Sequence, residues 1–346
     1  MKASVLYGVK NVRIDEVDVP ELDRNDVLIK VAYCGICPSD LKYYTGTREP
    51  KAWPTIRGHE FSGVIAELGR DVDGFEIGDS VVGHGRCPCG RCYFCLREGP
   101  NVNYCLNLQT SGIHSGGGTG AFAEYTKVSA DCTYLIPGDV DFRAASFTEP
   151  LSCCLNAIMR SELVIGDTVA VIGDGPNGLL IAQLAKLYGA GATIVIGHHD
   201  ARLDVAQEVG VDSTINSKHV DPVQAVGALT DGRGADAVIL AVGSQSAMRQ
   251  GLRMTRKEGL VNFFASTYPP FELPIDFNAL LHATSITLVG SRDFQPFHFA
   301  KSLELMQSKR LEFDPLITHV LPLRKLEDGF QVMVARKGLK VLVDAK

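Results

Sequence analysis

Three groups of residues carry spacing that chemistry could use. The first is Cys89, Cys92 and Cys95, spaced C-x-x-C-x-x-C, with Cys105 following after nine intervening residues. Four thiolates close a tetrahedral zinc shell, and such a shell holds together a loop that has no core of its own. An iron–sulfur cluster uses the same four thiolates, so spacing alone leaves both open. Cys87 stands just before them and leaves one thiol over from any four-thiolate site.

The second group mixes ligand types. Cys37 lies in Cys37-Pro38-Ser39-Asp40, and His59 and Glu60 follow Gly58. Sulfur, imidazole and carboxylate together suit a catalytic zinc, which keeps one position open for water or substrate. Glu149 adds a carboxylate at the start of a helical stretch. Singly, these residues have plainer readings: Cys37 in a core, His59 in a turn, Glu149 favoured by a helix dipole. Cys34 and Cys37 also form a C-x-x-C, but no thioredoxin-like helix start is expected after them.

The third group is Gly173-Asp174-Gly175-Pro176-Asn177-Gly178, between the apolar run TVAVIG and the helical run GLLIAQLAKLYGA. A strand, this glycine spacing and a helix together form a dinucleotide fingerprint. Gly173 makes the tight turn, Gly175 lets the backbone approach a pyrophosphate, and Gly178 lets helix and strand pack. The free N–H groups of the helix start face the phosphates. Asp174 departs from the pattern, because a carboxylate beside a pyrophosphate repels it unless it points to solvent. Where NAD binders carry an acidic residue for the ribose, this chain has Gly197, then His198, His199, Asp200 and Arg202. Without that carboxylate a 2′-phosphate is not repelled, and Arg202 with His198 or His199 can pair with it. The expectation is NADP(H) over NAD(H). The competing reading has Arg202 at the surface and Asp200 on the ribose.

The elements that must position these groups follow from the patterning. The first part reads as short alternating strands (ASVLYG, NVRIDEV, DVLIKVAYCG, FSGVIAELG, DSVVGHG) in a β-rich, barrel-like module. From Cys87 to about Gly120 the chain is a polar, glycine- and cysteine-rich excursion. After Phe142 the texture changes. Helical stretches alternate with apolar strands (TVAVIG, ATIVIG, ADAVILAVG, LVNFFAS, ITLVG) and the short strand STIN, which implies βαβ units and a doubly wound parallel sheet. A helix FHFAKSLELMQSKR, a strand LITHVLPL, the stretch EDGFQVMVARK and a strand LKVLVD complete the chain.

Composition bounds the function. The 346 residues carry 34 Lys+Arg against 40 Asp+Glu, a net charge of −6 that argues against nucleic-acid binding. Hydrophobic residues make up 45%, enough for sizeable cores. No apolar run is long enough to span a bilayer and no secretion leader is visible, so a cytoplasmic protein without membrane contact is expected.

The motifs occur in a telling order: G-I-C-x-S-D at 35–40, GHE at 58–60, CGxCxxC at 89–95, GAFAEY at 120–125, EPL at 149–151 and GxGxxG at 173–178. In this order, over essentially the whole chain, they resemble the zinc-dependent medium-chain alcohol dehydrogenases. EPLSCC and the His-Glu pair resemble the polyol branch, with its sorbitol, threonine and sugar-alcohol-phosphate dehydrogenases. The resemblance implies an α/β protein with a GroES-like catalytic domain (1–148 and 291–346) and a Rossmann domain (149–290). It implies two Zn²⁺ per chain, one catalytic on Cys37, His59 and Glu60 and one structural on Cys89, Cys92, Cys95 and Cys105. Glu149 matches a residue that ligates the metal or hydrogen-bonds its water, and Ser39 the hydroxyl that relays the substrate proton. Tyr43 and Arg292 match polyol contacts. The late strand ITLVG matches an edge that pairs across a homodimer or within a homotetramer.

The chain departs from that pattern at several places. Pro38 replaces a glycine and removes an N–H. Lys42 stands where a relay histidine is common. The Cys95–Cys105 interval is two residues longer than usual. The expected activity is reversible oxidation of a secondary alcohol, polyol or sugar alcohol to its ketone. Lys42, Arg48, Lys51 and Arg57 suit either an acidic or phosphorylated sugar or a solvated rim. The rival readings are an NAD-preferring threonine-type enzyme, a zinc-free quinone or enone reductase, and a non-catalytic NADP(H)-binding redox sensor.

Overall fold

The computed structural model describes residues 1–99, 101–110 and 120–345. Residues 111–119 of the polar excursion therefore lie outside the described residues. The chain forms two compact units, one of Met1–Ser152, Phe294–Lys309 and Leu316–Lys346, the other of Cys153–Asp293 and Arg310–Pro315.

The first unit is built from strands, numbered here in chain order. β1 (Lys2–Gly8), β2 (Asn11–Glu16) and β4 (Thr55–Ile56) form a small sheet in the order β2-β1-β4. A larger sheet holds β3 (Asp26–Gly35), β5 (Glu60–Leu68), β6 (Ser80–Gly83), β9 (Tyr125–Ser129), β10 (Thr133–Leu135), β17 (Ile317–Pro322) and β18 (Lys340–Asp344). Its order is β10-β6-β5-β3-β18-β17, with β9 also on β3, while β7 (Arg86–Cys87) and β8 (Gln109–Thr110) form a separate pair. The C-terminal strand β18 thus lies directly beside β3, pairing Leu342 with Gly35. Val27, Ile29, Val31, Phe61, Ile65, Phe122, Phe330 and Val343 fill the core these strands enclose. The alternation that marked them as strands in the sequence is the alternation of core-facing and outward side chains.

The second unit contains six parallel strands: β11 (Thr168–Ile172), β12 (Ala192–Gly197), β13 (Ser213–Asn216), β14 (Ala235–Leu240), β15 (Thr255–Phe263) and β16 (Thr287–Gly290). Their order is β13-β12-β11-β14-β15-β16, so the sequence reverses direction at β11 and β14. This is the doubly wound arrangement, whose ligands bind outside the carboxyl ends of the strands at the reversal. The apolar runs of β11, β12 and β14 are buried on both faces, as their sequences suggested. ITLVG is a correction. Only Ile286 of that run is buried, whereas Thr287, Leu288 and Gly290 are exposed, because β16 is the open edge of the sheet.

Candidate active site

Register brings the mixed ligand group together. β3 and β5 run antiparallel with Gly35 opposite Glu60 and Cys34 opposite Phe61, so His59 and Glu60 enter β5 just where β3 releases Cys37. The sulfur of Cys37, a ring nitrogen of His59 and a carboxylate oxygen of Glu60 lie within 4.8 Å of one another. Gly58 makes the approach possible: its φ is +99°, and a Cβ there would meet Phe122 N at 2.8 Å and Cys34 Sγ at 2.9 Å. The GAFAEY segment backs the same turn, Ala121 N donating to Gly58 O (3.0 Å) and Phe122 N to Arg57 O (2.8 Å).

A helix, Pro38–Tyr44, starts directly after Cys37, contrary to the sequence expectation. Cys37 is its N-cap: the sulfur accepts from Ser39 N (3.5 Å), and Asp40 Oδ2 accepts from Cys37 N (3.2 Å), a reciprocal capping box. Pro38 occupies the first turn, where a backbone N–H has no intrahelical partner, so its missing donor costs the helix nothing. Cys34 is fully buried in the core, its thiol donating to Gly35 O at 3.8 Å.

Three further side chains surround the group: Asp40 and Lys340, which the sequence gave no role in it, and Arg57, which is buried and not part of a solvated rim. Asp40 is fully buried, its Oδ1 3.7 Å from His59 Nδ1 and 3.6 Å from Arg57 Nε. Lys340 of β18 is buried and ion-paired with Glu60. The available signal for Lys340 was a single lysine inside the apolar strand LKVLVD. Burial opposes the ionisation of Asp40, yet the imidazole of His59 and the guanidinium of Arg57 hold its carboxyl below the ordinary value. Burial likewise opposes charge on His59 and Lys340, but Asp40 and Cys37 raise the former, and Glu60, Cys37 and Glu149 the latter. Desolvation pushes the Cys37 thiol up. A half-buried sulfur with a buried imidazole and a buried carboxylate close to it form a donor set that fits zinc.

The other predicted residues fall as follows. Glu149 is half-buried in the first turn of the helix Thr148–Arg160, outside the close group but near enough to act on Lys340. Ser39 is half-buried beside Cys37. Tyr43 is buried, its ring centroid 4.1 Å from the Arg57 guanidinium and 5.4 Å from that of Arg48. Arg292 belongs to the second unit, mostly exposed, with Nε 3.4 Å from Asp293 Oδ2.

The cysteine excursion also closes on itself. The sulfurs of Cys89, Cys92, Cys95 and Cys105 lie within 4.8 Å of one another. Cys89 N donates to Cys105 Sγ (3.2 Å), and Leu106 N donates to Cys92 Sγ (3.5 Å). Backbone donation from Arg91 lowers the Cys89 thiol to about 6. Despite the longer interval before it, Cys105 reaches the group. Cys87 is the thiol left over, paired with Cys132.

In the second unit the glycine turn joins β11 to the helix Pro176–Leu187. Gly175 has open space where a Cβ would be, as a close approach to phosphate requires, and a Cβ on Gly178 would collide with Gly173 O. Both observations fit a dinucleotide. Asp174 does not point to solvent. It turns back to the end of β12, where Oδ2 accepts from His198 N (2.8 Å) and His199 N (3.0 Å) and lies 2.8 Å from His199 Nδ1. Its Oδ1 is 3.6 Å from the Arg202 guanidinium. Burial opposes its ionisation, but the N–H of His198 and the side chain of His199 hold its pKa down. Asp200 is bonded to Asn216 instead. The position at Gly197 therefore does not lack a carboxylate: Asp174 supplies one.

Comparison with known proteins matches residues 23–138 to the alcohol dehydrogenase GroES-like domain and residues 176–308 to the zinc-binding dehydrogenase domain. Sorbitol dehydrogenase of Halalkalibacterium halodurans is 35% identical, covering 99% of both chains. The chain belongs to the zinc-dependent medium-chain alcohol dehydrogenases. L-threonine 3-dehydrogenase of Bacillus subtilis is 34% identical to this dehydrogenase, over 95% of it and 94% of the relative. A zinc-binding dehydrogenase of Sinorhizobium meliloti 1021, solved with NADP bound, superposes with a TM-score of 0.91 at 32% identity, covering 99% of this chain and 98% of that one. The polyol branch holds such relatives, and the dehydrogenase is an oxidoreductase of that family. Among its described residues no helix is long and apolar enough to cross a membrane.

Proposed function

We propose that this dehydrogenase interconverts a secondary alcohol of the polyol or sugar-alcohol class with its ketone, passing the hydride to or from NADP(H). The close group of Cys37, His59 and Glu60 carries the reading. These three hold a catalytic zinc, with the Glu149 carboxylate as a fourth ligand or a hydrogen-bond partner of its water. Cys89, Cys92, Cys95 and Cys105 hold a structural one. Bound zinc supplies Lewis-acid polarisation of the substrate oxygen. Ser39 hands the hydroxyl proton outward, Asp40 orients His59, and Lys340 fixes the Glu60 carboxylate. Tyr43 and Arg292 are the proposed substrate contacts. Residues 1–148 and 291–346 form the catalytic domain, and residues 149–290 bind the dinucleotide through Gly173, Gly175, Pro176, Asn177 and Gly178.

His198, His199 and Arg202, gathered at the end of β12, support NADP(H), as does the relative solved with NADP. One observation favours the NAD(H), threonine-type alternative: the Asp174 carboxylate among those same groups. The exposed edge of β16 supports a homodimer paired through that strand, or a homotetramer built from such pairs.

The test is nicotinamide absorbance on the zinc-loaded protein with NADP⁺ and NAD⁺, against free and phosphorylated polyols, threonine and simple secondary alcohols. Chelator-sensitive turnover on one polyol class is expected, with Ser39→Ala slowing it about 100-fold, the lower end of general acid–base effects. Turnover on threonine alone, or none on any alcohol, would overturn the substrate class. Full turnover in the Ser39→Ala enzyme would remove Ser39 from the relay.

A further inference from the structure

The cofactor reading above leaves one group unexplained, the buried carboxylate in the glycine turn. We infer that Asp174 is the residue that sets the choice between NAD(H) and NADP(H): it is a ribose-site carboxylate delivered from the glycine turn instead of from the end of β12. The inference rests on the dinucleotide site proposed above and names what decides its specificity.

Three observations carry it. The first is volume. A Cβ built on Gly197 would fall 2.5 Å from both Cβ and Oδ2 of Asp174. The space that a side chain at the end of β12 fills in other dinucleotide binders is here filled by Asp174, so aspartate in this position at 174 requires glycine at 197. The second is hydrogen bonding. Oδ2 takes the N–H groups of His198 and His199, the free backbone donors that lead into the helix Asp200–Glu208. Such donors suit an anion, and the protein has placed its own there. The third is charge. The imidazole of His199 and the guanidinium of Arg202 both face this carboxylate, at 2.8 and 3.6 Å. The Arg202 guanidinium and the His199 ring expected to receive a 2′-phosphate already have a carboxylate against them.

The consequences for the two cofactors are opposite. Ribose hydroxyls are donors, and a carboxylate accepts from them. A 2′-phosphate brings negative charge to the same donors and cations, and must displace Asp174 or suffer its repulsion. His198, His199 and Arg202 are placed to hold the phosphate while Asp174 opposes it, so the cofactor preference is the balance of the two. Asp174→Asn keeps an oxygen acceptor for the backbone N–H groups and removes the charge. Asp174→Gly with Gly197→Asp returns the carboxylate to the strand end, which neither side chain permits while the other is present.

The test is isothermal titration of the intact wild-type protein and these variants with NAD⁺, NADP⁺, 5′-AMP and 2′,5′-ADP, with thermal melting to establish that each variant is folded. Asp174→Asn is expected to shift the ratio of NADP⁺ to NAD⁺ affinity about tenfold towards NADP⁺, the effect of one like charge removed. Binding of 2′,5′-ADP should tighten in parallel. The double variant should return the ratio towards NAD⁺, and Gly197→Asp alone should bind both dinucleotides poorly. A ratio within twofold of wild type in folded Asp174→Asn overturns the inference. If that variant does not fold, a double variant with the Asp174→Asn expectation, a shift towards NADP⁺, overturns it instead. A wild-type preference for NAD⁺ would overturn the NADP(H) reading and leave the role of Asp174 standing, since that role is read from the change in ratio. Binding of neither dinucleotide by wild type would overturn both.

Discussion

At the scale of single residues, the close group is held by buried charges that compensate one another. Glu60 and Lys340 are both nearly inaccessible and paired, and Asp40 sits between His59 and Arg57. A buried pair adds little over an apolar replacement, but removing one partner strands the other. Lys340→Met is therefore expected to destabilise the protein by about 3 kcal/mol, the lower bound for an uncompensated buried charge. Lys340→Met with Glu60→Gln should cost much less than the sum of the single changes, because no charge is left alone. Denaturant melts of the four proteins in zinc-free buffer would measure this, and additive costs would show that the pair is not coupled. Sequence patterning found Glu60 because it follows His59 in a motif. It missed Lys340 because 280 residues separate the partners and only the β3–β18 pairing brings them together.

Among elements, the histidines show how burial and sequence part company. His84 follows β6, and its ring packs edge-on to Phe294 and Phe299, each 5.0 Å away, with Tyr134 OH 3.4 Å from Nε2. Desolvation there lowers its pKa to about 3. The unfolded chain binds this proton near the ordinary histidine value and the folded protein does not, so the unfolded state holds more protons between the two values. Stability is then full above about pH 6.5 and falls as pH drops towards 3, by about 1.4 kcal/mol per unit in that window. His84→Leu should flatten the fall. Melting temperatures of the two proteins between pH 7 and 4.5 would show it, and parallel curves would assign the acid sensitivity elsewhere. The Tyr134, Phe294 and Phe299 rings come from β10 and from the stretch around the helix Pro296–Gln307, and no local pattern near His84 announces them.

For the molecule as a whole, the proposed function places one metal on the Cys37–His59–Glu60 group and one on the four-cysteine group. Native mass spectrometry of zinc-loaded protein is expected to give two zinc ions per subunit and an even number of subunits. Cys92→Ser should lose one of those ions, and His59→Ala the other along with turnover, whereas removal of all zinc by chelator should abolish turnover reversibly at the His59 group. A single zinc per chain in the wild type would contradict one of the two groups.

The sequence by itself determined the class of strands and helices, the glycine turn, the four-cysteine excursion and the family, because each of these is written in residues close to one another and obeys a fixed period or spacing. It also placed Cys37, His59 and Glu60 in one chemistry by their types. Only the tertiary structure decided what stands around them. The Pro38–Tyr44 helix appeared because a cysteine sulfur and Asp40 complete a capping box that a sequence pattern does not display. ITLVG lies open because sheet order, not its apolar composition, makes β16 an edge. Asp174 changed from an intruder beside a pyrophosphate to the carboxylate at the end of β12, because a side chain's direction is set by the turn that carries it and by the space its neighbour, Gly197, leaves empty.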